Sequence, residues 1–133
     1  MKAILGALLL IHACAGQQAI AESLAGPRRI AVESFVTLPA DVRHPEGLAS
    51  NPSNGDLYVG TFDAREPAEQ RNNQVLRYSS DGKLLARYAF GSTPLTGVEF
   101  AHDKLYVLNF GASKLRRLDA QFNAKSQLED VVS

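Results

Sequence analysis

The chain has 133 residues, with 14 Lys and Arg set against 14 Asp and Glu, so its formal net charge is zero. That balance argues against a nucleic-acid binder, which carries a basic excess. The 45% hydrophobic content argues against a disordered chain, and one Cys with no Trp excludes a disulfide scaffold or a multi-cysteine zinc site.

Lys2 precedes an apolar run from Ala3 to Ile11, followed by small and polar residues. This order reads as a secretory signal, and the run is far below the ~20 residues a membrane-spanning helix needs. Two small-x-small sites fit cleavage, after Ala15 and after Ala21, and the second is the preferred end of the signal. A lipoprotein box with Cys14 as the lipidated residue is a weaker alternative, because His12 fits it poorly. Cleavage after Ala21 removes Lys2 and Cys14, leaving one acidic charge in excess and no cysteine. An exported chain of that kind, periplasmic or secreted, relies on packing rather than cross-links.

Residues 22–44 read as a linker and an N-terminal strand, Arg29–Leu38. From Pro45 onward the chain repeats itself. Asp56-Leu-Tyr-Val-Gly-Thr-Phe62 returns as Lys104-Leu-Tyr-Val-Leu-Asn-Phe110 at an offset of 48. Glu46–Ala49 corresponds to Thr96–Glu99 at an offset of 50, and Asn73–Tyr78 to the segment ending at Leu118 at an offset of 40. An insert in the first unit, Arg65–Asn72, accounts for the shortened offset. Without it each unit is near the ~40 residues of one propeller blade.

Each unit is predicted to form four short strands: about Glu46–Ser50, Asp56–Thr61, Gln74–Tyr78 and Lys83–Phe90, then Gly97–Ala101, Lys104–Leu108, Lys114–Leu118 and Gln127–Val132. Asn51–Gly55, Ser80-Asp81-Gly82 and Ala101-His102-Asp103 supply the turns. Leu57–Val59 and Leu105–Leu108 are unbroken apolar runs, as expected of strands covered on both faces. The expected fold is therefore all-β: a partial β-propeller of two four-stranded antiparallel blades, 45–91 and 95–133, plus the N-terminal strand. Two blades do not close a ring, which takes about 4–8. The chain is then a fragment of a longer propeller, a ring-forming oligomer that self-associates through exposed blade faces, or a small sandwich.

His44-Pro45-Glu46-Gly47-Leu48-Ala49 followed by Asn54–Gly60 resembles the opening blade of the senescence-marker-protein/gluconolactonase-like (regucalcin-like) six-bladed propellers. The second unit, from Gly97 to Asp119, is similar to an NHL-type repeat. The resemblance spans about Pro45–Asp119, and it implies an N-terminal fragment of a divalent-metal-dependent lactonase or ester hydrolase. By that resemblance Glu46 is a metal ligand and Ca²⁺ or another divalent cation the cofactor. A hard cation takes oxygen ligands and polarises a lactone or ester carbonyl, and Gly47 allows close approach beside the axis. The family's remaining ligands belong to later blades. Thr96 stands where the second unit would repeat Glu46, and Asn109 where a strand-end Asp is usual, so the catalytic site is expected to be incomplete in this chain.

The alternative is a non-catalytic NHL-like module holding a protein or carbohydrate through the insert and neighbouring loops. His44 reads as a turn residue and His102 as a solvated hairpin residue. Asp63, Arg65, Glu66, Glu69 and Arg71 read as a solvated mixed-charge loop. Lys114, Arg116 and Arg117 make too small a basic cluster for nucleic acid, and no nucleophile elbow, phosphate loop or metal-spaced His pair is present.

Overall fold

The structure is a computed structural model that describes residues 29–132. The expected signal peptide, its cleavage sites and Cys14 lie outside the described residues. The chain divides into two compact units, Met1–Glu33 and Ser34–Ser133. The described residues of the first, 29–33, have no regular structure.

The second unit is all-β. Strands β1 (Pro45–Ser50), β2 (Leu57–Thr61), β3 (Asn73–Tyr78) and β4 (Leu84–Gly91) form one four-stranded sheet in sequential order. Strands β5 (Gly97–Ala101), β6 (Lys104–Asn109), β7 (Lys114–Asp119) and β8 (Glu129–Val132) form a second. Every pairing is antiparallel. All eight expected strands are present, displaced by no more than two residues at any end. No helix among the described residues is long and apolar enough to cross a membrane.

The turns follow local chemistry. Asn51 Oδ1 accepts from the Ser53 N–H at 2.9 Å, Asn54 Oδ1 from the Asp56 N–H at 2.9 Å, and Gly55 takes φ 76°. Between β5 and β6, His102 and Asp103 both have positive φ, 49° and 57°. That is the two-residue primed turn whose twist suits a hairpin, and Asp is one of the few side chains that tolerates it.

Tyr58, Val75, Val98, Leu105, Val107, Leu118 and Phe122 are buried in one core between the sheets. Each fully buried Leu or Val contributes roughly 1.5–3 kcal/mol. The two sheet edges β1 and β5 run against each other. Val98 sits between two glycines there: a Cβ added at Gly47 or Gly60 would lie 3.1 or 3.0 Å from its methyls. Leu95 donates its N–H to the Thr61 carbonyl at 3.0 Å, tying the inter-unit connection to the end of β2.

The faces alternate in a fixed sense. Tyr58 points from the first sheet toward the second, while its neighbour Val59 points away. In the second sheet Val107, the repeat equivalent of Val59, points back at the first sheet, and Tyr106 points away. Both sheets thus turn the same side forward.

One expectation is corrected. Arg29–Leu38 forms no strand. Instead Val36, Leu38 and Val42 pack on the face formed by Val59, Leu76 and Tyr78, and Asp41 pairs with Arg87 at 2.6 Å. The segment's apolar residues find a sheet face rather than a sheet edge, so no ladder forms; they cover β2 and β3 on that face and leave Leu48 of β1 exposed.

Candidate functional site

The candidate site lies at the end of the first sheet where β1 begins, β2 ends and β3 begins. Pro45 is opposite Thr61 and Gly47 opposite Gly60, so Glu46 is the extra residue of a β-bulge. A bulge re-aims a side chain out of the regular pleat, and Glu46 is exposed. His44 before it has φ 49° and accepts the Phe62 N–H on its carbonyl at 2.8 Å. That left-handed conformation is uncommon outside glycine. It is held here by the flanking pairing and sets the direction in which the chain enters β1.

Beneath this rim is a buried polar network. The Asn73 side chain accepts the Asp63 N–H at 2.6 Å and donates to the carbonyls of Asp63 at 3.0 Å and Gly91 at 3.2 Å. Thr61 Oγ1 accepts the Gln74 N–H at 2.9 Å. Asp63 is fully buried, accepts the Asn72 N–H at 3.2 Å, and pairs with Arg43 at 2.9 Å. Arg43 also donates to the Gln70 carbonyl at 2.6 Å, and Arg71 to the Glu66 carbonyl at 2.8 Å. A short 3-10 turn, Ala68–Gln70, completes the loop.

The reading of the insert as a solvated loop is therefore corrected for Asp63, which is an internal brace. A carboxylate removed from water needs a countercharge and donors; Arg43 and Asn72 supply them to Oδ2, while Oδ1 is buried without a hydrogen-bond partner. Arg65 and Glu69 are exposed. Arg43, Thr61 and Asn73 were not singled out from the sequence. Their signal was weak: polar residues at the ends of apolar runs are as common in turns as in networks.

Of the other candidates, Thr96 directly precedes Gly97, whose carbonyl carbon would lie 3.4 Å from a Cβ at Gly47, the neighbour of Glu46. His102 is exposed in its hairpin turn, and Thr96 is exposed. Asn109 is fully buried, and neither atom of its amide has a hydrogen-bond partner, whereas Thr61, its counterpart in the first unit, is bonded on both sides. Lys114 and Arg116 pair with Asp130, and Arg117 with Glu129. Among the described residues, no three His, Cys, Asp or Glu side chains are grouped so as to hold a metal ion. Compared with protein-family models and with curated proteins, the sequence matches none.

Proposed function

We propose that the two sheets are consecutive blades of an exported β-propeller resembling the gluconolactonase-like hydrolases, with a catalytic site that these blades alone do not complete. One observation carries this reading: β1 and β5, the first strands of the two sheets, pack against each other, with Glu46 exposed at the bulge that opens β1. In such a ring that position faces the mouth of the central channel. Glu46 would supply one hard oxygen ligand to a divalent cation, Ca²⁺ by preference. A bound cation there would polarise the carbonyl of a lactone or ester.

Among the described residues no three His, Cys, Asp or Glu side chains are grouped around Glu46, so in this reading it holds a cation only weakly and further ligands come from other blades. Calorimetric titration with Ca²⁺ tests the assignment. Wild type is expected to bind weakly and Glu46→Gln not at all; identical isotherms remove Glu46 as a ligand.

A second reading is favoured by the bracing of Arg65–Asn72. An insert held by Arg43, Asp63 and Arg71 presents Arg65, Pro67 and Glu69 on a fixed frame, as a binding loop for a protein or carbohydrate would require. A panel of immobilised oligosaccharides tests the carbohydrate form. Retention of wild type but not of a variant with Arg65→Ala and Glu69→Ala supports it, and equal behaviour of the two opposes it.

A further inference from the structure

Each face of the inter-sheet contact has a repeat equivalent elsewhere on the molecule. Val98, inserted between Gly47 and Gly60, is the counterpart of Leu48, which lies opposite Val59 on the far face of the first sheet and is 69% exposed. Gly47 is the counterpart of Gly97, whose Cβ position meets only Leu108, at 3.8 Å. Gly97 lies opposite Leu108 on the far face of the second sheet, and Leu108 is 52% exposed. Leu108, Leu115 and Val132 line an open groove of about 300 Å³ on that face. Single exposed leucines are unremarkable. Leu48 and Leu108 stand, on opposite sides of one chain, at the equivalents of Val98 and Gly60, the two sides of the buried contact.

We infer that the Gly97–Leu108 face of the second sheet docks a second copy of this chain head to tail, receiving its Leu48 as Gly47 receives Val98 within the chain. The contact continues the β1–β5 stacking from one copy to the next. It runs along β1 and β5, while Val36, Leu38 and Val42 keep their place on Val59, Leu76 and Tyr78 of β2 and β3. It differs from the internal contact at one point: Leu108 stands where the first unit has Gly60, so the partner's Leu48 seats over Gly97 beside it. Such an interface is heterologous, with a different surface on each partner, and it propagates until a ring closes. The inference rests on the stacking half of the propeller reading and is independent of Glu46 and of any metal.

The mass of the full chain in solution, by light scattering or sedimentation from micromolar to millimolar concentration, tests it. Wild type is expected as multiples of 14.4 kDa. Leu48→Asp and Leu108→Asp, both at exposed positions, should keep the wild-type circular dichroism and each weaken association about 10–100-fold. Mixed, the two variants should form a one-to-one dimer that grows no further, because each retains the surface the other has lost. Monomeric wild type at every concentration overturns the inference. So does an assembly that survives either substitution, or variants that fail to pair when mixed. Weak or absent Ca²⁺ binding bears only on Glu46.

Discussion

The Tyr58 hydroxyl, carried by the first sheet, donates a hydrogen bond to the Ala120 carbonyl beyond the end of β7, at 3.1 Å across 62 residues of sequence. Its ring lies parallel to that of Phe100, with centroids 6.1 Å apart, and tilted against Phe122. One side chain thus joins the sheets by area and by a directed bond. Desolvation pushes the Tyr58 hydroxyl above its ordinary pKa, which keeps it a donor. Tyr58→Phe retains the ring and leaves the Ala120 carbonyl unbonded. A loss of about 1–2 kcal/mol in urea unfolding is expected; an unchanged midpoint would show the bond to be dispensable.

Gly60 lies against Val98 where the sheets meet. Gly60→Ala places a Cβ about 3.0 Å from a Val98 methyl, and such crowding costs roughly 1–3 kcal/mol. Val98→Ala removes the obstructing methyls, so the double variant should be more stable than the sum of the two losses implies, by about 0.5–3 kcal/mol. Strict additivity would mean that the two residues do not touch.

Asn73 holds three main-chain groups at the rim of the candidate site. Asn73→Leu leaves the Asp63 N–H and the carbonyls of Asp63 and Gly91 without it, and an unsatisfied buried group costs about 1–3 kcal/mol. The expected loss is in that range, accompanied by faster proteolysis within Arg65–Asn72. Faster cleavage there without a loss of stability would place Asn73 in the loop's mobility alone.

Acid should loosen the last strand first. Hydrogen bonding from Arg117 lowers the Glu129 pKa and from Lys114 the Asp130 pKa, and both carboxylates lie on β8. The unfolded chain therefore binds more protons than the folded one in acid. The stability these pairs contribute is complete above about pH 5 and is lost as the pH falls below about 4. The pairs are solvent-exposed, so each contribution is small and weakens with salt. Since β8 is exposed along its whole length, its amide protection should fall between about pH 5 and pH 3 before that of β6. Parallel loss in both strands would contradict this assignment.

The strands were legible because period, turn residues and the internal repeat agreed: Leu57–Val59 and Leu105–Leu108 marked the central strands, and Gly55, Gly82 and His102-Asp103 the reversals. Arg29–Leu38 misled because apolar spacing does not distinguish a segment lying on a face from one pairing at an edge. Glu46 stood out by its Pro-Glu-Gly setting, but the bulge that exposes it did not, because it is a matter of register between β1 and β2. The Arg43–Asp63–Asn73 network was not, since it joins residues from three separate stretches whose proximity exists only after folding.

The arrangement of the two units is tested most directly by proton–proton contacts in the isotopically labelled chain. Cross-peaks from the Tyr58 ring to Phe100 and Phe122, together with contacts between the Val98 methyls and the α-protons of Gly47 and Gly60, are the pattern required if β1 and β5 lie side by side at the core. Intact contacts inside each sheet with none between the sheets would contradict it.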